Sequence, residues 1–302
     1  MTETRAAAEL VTVRDWVRWS ATRLGRGELH YGHGTDSPWD DAVALVGGWL
    51  RIPPDRLGEM LEARVTTAEG RALEAAVGRR VEGRVPVPYL TGRAWLAGVE
   101  FEVDERVLIP RSPIAFLLEE GLQPWLGDRR PLRILDLCTG SGCLGILAAL
   151  AFPEAEVVLA DLSEDALVLA RRNVERQDLG DRVRVLQSDG FLGLSQEPAF
   201  DLILCNPPYV DEADLSAMPA EFGHEPELAL AGGSDGLDLV DRLLDRARAH
   251  LVAEGMLVLE LGNSAGALLA RRPELELTWP ELEQGGVGVA LIEASSLAGA
   301  SA

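Results

Sequence analysis

The 302-residue sequence contains no lysine: its 28 basic residues are all arginine, set against 49 acidic ones for a net charge of −21. Proteins hold phosphate backbones with clustered Lys and Arg. A surface this acidic argues against direct reading of nucleic acid and suits a basic protein, whose approach it would speed at low salt. Cysteine is scarce and odd in number: Cys138, Cys143 and Cys205. All three lie in or beside apolar, strand-like runs, without CxxC spacing or a nearby His. That pattern argues against disulfides and zinc and for reduced core thiols. No apolar run approaches the roughly 20 residues of a membrane span. The opening Met-Thr-Glu-Thr-Arg has no signal-peptide core. A cytoplasmic protein is expected.

What is present divides into a helical part and an alternating part. Residues 1–83 read as a helical module. Thr12 with Asp15 forms a capping-box pattern, followed by Val13, Trp16, Val17, Ala21 and Leu24 at helical spacing. Ser37-Pro38-Trp39-Asp40 is a second helix start, with proline in the first turn. Further helices are expected over Asp55–Ala63 and Thr67–Val81. Between the first two lies Leu29-His30-Tyr31-Gly32-His33-Gly34-Thr35, a glycine-rich loop with no strong third ligand, so a packing or partner-touching loop rather than a metal site.

Residues 84–112 read as a linker. Pro86 and Pro88 are expected to break the helix. Ala94–Leu96 and Val99–Val103 flank Ala97-Gly98 as a hairpin. Residues 113–296 form the main domain, beginning with a helix from Ser112-Pro113 through Leu122. From Pro131 onward strands and helices alternate, which predicts an α/β fold with a doubly wound, mostly parallel sheet. The strands are expected at Arg133–Cys138, Glu156–Asp161, Arg182–Asp189, Phe200–Cys205 and Met256–Leu261. Helices are expected at Gly142–Phe152, Ser163–Asp178 and Gly236–Ala253. Leu275–Trp279 and Val287–Glu293 read as a closing antiparallel pair, and 297–302 as a disordered tail.

The chemistry concentrates where the strand Phe200–Cys205 meets Asn206-Pro207-Pro208-Tyr209. Two prolines cannot continue a ladder, so a stiff turn sits at the C-terminal end of a central strand, where open α/β sheets bind ligands. Asn206 offers an amide oxygen, Pro207 a backbone carbonyl, and Tyr209 an aromatic face. Together they can grip a planar NH2-bearing group: two N–H bonds donate to the Asn206 and Pro207 oxygens while the Tyr209 ring stacks on its plane.

A second loop, Asp136-Leu137-Cys138-Thr139-Gly140-Ser141-Gly142-Cys143-Leu144-Gly145, joins the first strand of the alternating part to its helix. Its Gly140-x-Gly142-x-x-Gly145 is formally a dinucleotide fingerprint, which by itself suggests a nicotinamide enzyme. Asp136 before the glycines points elsewhere, since it can accept from an ammonium. Asp161, with Leu162 beside it, closes the next strand where a carboxylate bridges ribose hydroxyls. Asp189, Gly190 and Phe191 close the third, where an adenine ring is expected. Three acids suit a cationic, phosphate-free ligand, and S-adenosylmethionine fits.

With both motifs read, the chain resembles the S-adenosylmethionine-dependent methyltransferases that modify glutamine side-chain amides in translation proteins, the HemK/PrmC-like protein-(glutamine-N5) methyltransferases. The resemblance also rests on Pro88-Tyr89-Leu90-Thr91-Gly92, Leu108-Ile109-Pro110-Arg111, and Glu225-Pro226 with Gly232-Gly233-Ser234-Asp235-Gly236-Leu237. It implies a Rossmann-like sheet, an N-terminal helical domain that recognises the protein substrate, and a β-hairpin linker. It further implies that Asn206, Pro207, Pro208 and Tyr209 are catalytic. Asp136, Cys138, Thr139, Gly140, Ser141, Gly142, Asp161, Leu162, Asp189, Gly190, Phe191 and Asn206 would then bind the cofactor. Where the release-factor branch carries an acid shortly after Pro-Arg, this sequence reads Pro110-Arg111-Ser112-Pro113-Ile114-Ala115. That text, the Tyr31–Thr35 loop and His224 before Glu225-Pro226 resemble the branch acting on large-subunit ribosomal protein uL3. Cys138 departs from the glycine common in methyltransferases. Release factors, an adenine amine in nucleic acid, and a non-catalytic ribosome-assembly factor remain alternatives.

Overall fold

A computed structural model describes residues 6–281 and 288–297. It divides into two compact units. The first comprises Met1–Ala94, Val103–Glu105 and Pro219–His224; the second comprises Trp95–Glu102, Arg106–Met218 and Glu225–Ala302.

The first unit is helical. Helix Val13–Gly25 starts at Thr12, whose hydroxyl accepts from the Asp15 amide while the Asp15 carboxylate accepts from the Thr12 amide. Thr66 and Glu69 repeat that reciprocal cap at the start of helix Thr67–Gly83, and Ser37 caps Pro38–Trp49. Trp16, Val17 and Leu24 pack with Val46, Leu57 and Leu73 in one apolar cluster. One expectation fails here: Asp55–Ala63 is a 3-10 turn, Pro54–Arg56, followed by the single turn Leu57–Met60. Helix Thr67–Gly83 ends before Pro86 and Pro88 as expected, and the two prolines then begin a short helix, Val87–Thr91, because proline costs nothing in a first turn whose N–H groups have no helical partner. Buried Arg80 donates to Asp41 at 2.7 Å, to the His30 carbonyl at 2.8 Å and to Glu221 at 3.4 Å, beneath the Tyr31 ring. His33 and His30 both lie against Phe222, so the glycine-rich loop packs.

The hairpin pairs β1 (Arg93–Leu96) with β2 (Val99–Glu102) around Ala97-Gly98, both at positive φ. In the second unit, β2 is fastened to helix Glu164–Arg176: Asn173 accepts from the Glu102 amide and donates to the Glu102 carbonyl, and Arg176 pairs with Glu100.

The second unit is built on a six-stranded sheet of order β5-β4-β3-β6-β7-β8. Its strands are β3 (Arg133–Leu137), β4 (Glu156–Asp161), β5 (Val183–Gln187), β6 (Phe200–Cys205), β7 (Leu251–Glu260) and β8 (Val289–Glu293). All neighbours are parallel except β7 and β8. The expected α/β class is therefore observed. The apolar runs Ile134-Leu135, Val157–Ala160 and Leu202–Cys205 are buried throughout, as strands covered on both faces require.

Several boundaries move. The helix expected over Gly236–Ala253 is Asp238–His250, and Leu251 instead opens β7 opposite Phe200. Leu251 sits at helical spacing and in an apolar run alike, so periodicity cannot choose; the free edge of β6 does. Leu275–Trp279 is no strand and makes one bridge, Thr278 to Leu291, with Pro280 unable to donate to a ladder. Val287 and residues 298–302 of the expected tail lie outside the described residues. Helix Ile114–Glu119 stops short of Leu122, where Gly121 and Leu122 turn to positive φ. No described helix is long and apolar enough to cross a membrane.

Candidate active site

Strand order sets where the site falls. From β3 the chain winds outward through β4 to β5, then returns to place β6 on the other side of β3. The crevice of a doubly wound sheet opens at that reversal, beyond the C-terminal strand ends. Leu137 of β3 pairs with Cys205 of β6, so the Asp136–Gly142 loop and Asn206 emerge side by side. A cavity of about 540 Å³ opens there within the second unit.

Of the sequence-predicted residues, Asp136, Cys138, Thr139, Gly140, Ser141, Asp161, Leu162, Asp189, Gly190, Asn206 and Pro208 line the cavity. Four others do not. Gly142 is the N-cap of helix Cys143–Ala151. Pro207 is buried. Phe191 was expected at an adenine ring. It is 4% exposed, packed in the core with Leu194 and Leu243, and stacked on His250 at 4.5 Å. An aromatic ring that close to an apolar cluster gains more by burial than by lining a wet cavity. Tyr209 was expected to offer an open stacking face. Its hydroxyl instead donates to Glu260 at 2.9 Å, and its ring lies where a side chain on Gly262 would stand.

Asp136 is fully buried. One carboxyl oxygen accepts from the Thr139 hydroxyl and, at 2.8 Å, from the Gly145 amide. The other, Oδ1, is buried without a hydrogen-bond partner. Burial pushes this carboxyl up to about 7, against the pull of the Thr139 and Gly145 donors. A buried acceptor left open in a cavity-lining residue calls for a donor, and a cation would satisfy it best. Gly145 lets the carboxylate approach: a Cβ there would meet Leu159 at 2.0 Å and Asp136 Cβ at 2.9 Å.

Asp161 ends β4 and accepts from the Gly140 amide at 2.8 Å and the Ser163 amide at 2.9 Å. Burial raises it, while those amides hold it down. Asp189 is half-exposed, 3.8 Å from Arg242. Cys138 adopts φ 61°, a left-handed conformation that favours glycine, which accounts for the glycine usual at this point. The three thiols are free; burial lifts Cys143 to about 12 and Cys205 well above its ordinary value, as inert core cysteines require. Among the described residues no group of three His, Cys, Asp or Glu could hold a metal.

The sequence did not reveal the opposite wall. Arg106–Ser112, read as linker, lines the cavity, as do Pro226, Leu228, Ala229, Ala231 and Gly233. Arg111 clamps Glu225 with two bonds of 2.5 and 2.7 Å, and the Ile109 amide donates to the same carboxylate. An Arg and a Glu, each beside a proline, were the visible signal, but nothing in one sequence joins positions 114 residues apart.

S-adenosylmethionine fits these residues. The open oxygen of Asp136 would suit its ammonium and the Asp161 carboxylate its ribose hydroxyls, and no phosphate partner is needed. The chain matches the methyltransferase small domain family over residues 118–222. It is 48% identical to the ribosomal protein uL3 glutamine methyltransferase of Bordetella pertussis, over 96% of this chain and 97% of that one. Its identity to the protein of the same name from Francisella tularensis subsp. tularensis is 43%, over 94% and 90%. Among solved structures, TrmN from Thermus thermophilus is 29% identical with a TM-score of 0.42, over 59% of this chain and 48% of that one. At 43–48% identity over nearly its whole length, this chain belongs to the ribosomal protein uL3 glutamine methyltransferase family, enzymes that depend on S-adenosylmethionine.

Proposed function

We propose that this chain transfers a methyl group from S-adenosylmethionine to the side-chain amide nitrogen of a glutamine in ribosomal protein uL3. The observation that carries the reading is the meeting of Asn206 and the Asp136–Gly142 loop at one cavity, at the reversal of strand order. The near-full-length relatives named for that reaction supply the substrate.

Asp136, Asp161 and the loop Cys138–Ser141 hold the cofactor, which supplies an electrophilic methyl on a sulfonium when bound. An amide nitrogen is a poor nucleophile because its lone pair is delocalised. The Asn206 side-chain oxygen and the Pro207 carbonyl accept the two amide N–H bonds. They bias the nitrogen lone pair away from the carbonyl and stabilise the positive charge that develops on it. Fixing donor and acceptor in line supplies much of the remaining acceleration. The alkylated amide is acidic enough to give its proton to solvent water without a strong side-chain base.

The helical unit is the substrate-recognition part in this reading, and the net charge of −21 suits a basic ribosomal protein. A cytoplasmic location goes with that substrate.

The test offers labelled cofactor with uL3 and with a release factor, side by side. Label is expected in a glutamine of uL3. Label in the release factor alone, or in added nucleic acid, overturns the assignment. Asn206→Ala is expected to abolish transfer while calorimetry shows the cofactor still bound; the reverse pattern removes Asn206 from its role.

A further inference from the structure

We infer that Glu260 is a positioning residue for the acceptor end of this site, its buried carboxylate tying two walls of the cavity together. The inference rests on the reading that the Asn206 turn grips the acceptor amide.

Glu260 is the last residue of β7, the strand beside β6, and is 5% exposed. Its Oε2 accepts from the Ser112 hydroxyl, and its Oε1 accepts from the Tyr209 hydroxyl at 2.9 Å. Ser112 closes the cavity-lining segment Arg106–Ser112, and Tyr209 closes the Asn206–Tyr209 turn. One side chain thus fixes the end of each wall.

Tyr209 has little freedom otherwise. Its carbonyl accepts from Ser264 at 2.7 Å. A Cβ on Gly262 would stand 2.5 Å from its ring, and one on Gly232 2.8 Å from its Cα. The ring therefore has one berth, and its hydroxyl points from there to Glu260. On its other side the Arg106–Ser112 segment is held by Glu225, which takes Arg111 and the Ile109 amide. The two carboxylates divide the work: Glu225 secures the segment to Pro226 on the far wall, and Glu260 secures it to the turn.

Burial pushes the Glu260 carboxyl above its usual range, while the Ser112 and Tyr209 hydroxyls and the Arg111 charge pull it down. A carboxyl kept dry among hydroxyls is a poor choice for stability alone, since apolar replacements of buried charged groups are often neutral or stabilising. Its value lies in direction: two oxygens at fixed spacing, each claiming one hydroxyl. A slackened turn shifts Asn206 relative to the cofactor, and a misplacement of about 1 Å can cost on the order of 100-fold in rate.

The test measures kcat on uL3, cofactor affinity by calorimetry and thermal unfolding for Glu260→Ala, Glu260→Gln, Tyr209→Phe and the Glu260→Ala/Tyr209→Phe pair. Glu260→Ala is expected to lower kcat by about 10- to 100-fold, with cofactor affinity changed by less than about threefold. Glu260→Gln restores kcat to within about fivefold of wild type, because its carbonyl accepts from Tyr209 while its NH2 donates to the Ser112 oxygen. Tyr209→Phe lowers kcat, and adds little on top of Glu260→Ala because both break one contact. The inference is overturned if Glu260→Ala keeps wild-type kcat, if the two losses multiply, if Gln rescues nothing, or if cofactor affinity falls in step with kcat. Should Glu260→Ala fail to fold, Tyr209→Phe alone and within Glu260→Gln carries the same comparison. Wild-type protein that methylates no uL3 refutes the proposed substrate and this inference with it; wild-type transfer with an indifferent Glu260→Ala refutes this inference alone.

Discussion

Cofactor affinity should fall as the solution is acidified, and Asp136 should be the cause. Its carboxyl is lifted to about 7 by burial, and its Oδ1 has no partner. Only the ionised form attracts an ammonium. With that value the group is half ionised at pH 7, about one part in eleven at pH 6 and about one in a hundred at pH 5, so affinity drops about fivefold and then about fiftyfold relative to pH 7. The cofactor's own α-amino group, with a reference value of about 7.7–8.0, stays protonated across this range. Calorimetry at the three pH values, in two buffers of different ionisation heat, should show about half a proton released per cofactor at pH 7 and nearly one at pH 5.

Asp136→Asn should bind weakly with a flat pH profile, because the amide oxygen can still accept from Gly145 while its NH2 replaces Oδ1. Asp161→Asn serves as the control: it should weaken binding yet keep a pH dependence, moved towards lower pH because the Asp161 charge helps to raise Asp136. Stability without cofactor moves the opposite way. A carboxyl whose folded value lies above its unfolded one stabilises the fold below the unfolded value, and that contribution is lost as pH rises through about 7. At pH 8 the ionised Asp136 costs up to about 4 kcal/mol, so Asp136→Asn without cofactor should melt higher than wild type, with the gap closing on acidification. Wild-type affinity constant from pH 7 to pH 5, with no proton released, would refute the reasoning.

Gly145→Ala should destabilise the second unit by about 1–3 kcal/mol and weaken cofactor binding, since the new Cβ lands 2.0 Å from Leu159 and 2.9 Å from Asp136; an unchanged urea midpoint and affinity would show that the loop yields freely. Arg80→Met should cost about 3–5 kcal/mol by leaving the Asp41 and Glu221 carboxylates buried without their shared cation. Chemical unfolding that reports less than about 1 kcal/mol would mean that water or Arg84 takes over the pairing.

Local signals carried far in this chain. Thr12 with Asp15, and Ser37 with Pro38, state helix starts within four residues, and the structure honours each. Continuous apolar runs ending in an acid or in Asn206 gave both the parallel sheet and the edge where ligands gather. The failures share one cause: a choice settled by distant partners. Leu251 could extend a helix or open a strand, and Phe200 across the sheet decides. Phe191 sits one residue beyond the cavity-lining Gly190, and only its packing on His250 reveals that it turns inward. Tyr209 carries an aromatic face suited to stacking, but Glu260 and Gly262, over fifty residues on, set where that face lies. The Arg111–Glu225 clamp was spelled out as two separate fragments, Pro110-Arg111 and Glu225-Pro226, without any hint that they meet.

The backbone passes between the two units at Ala94, Glu102, Glu105, Met218 and His224. No single cut therefore separates them. Deleting the helical portion at the genetic level would strand Pro219–His224, with the Glu221 carboxylate deprived of Arg80 and the Phe222 ring deprived of both histidines. Because that hexapeptide is spliced into the stretch following the diproline corner, domain-swapped chimeras between relatives must exchange it together with the N-terminal helices, or the graft will carry mismatched halves of one salt-bridge network.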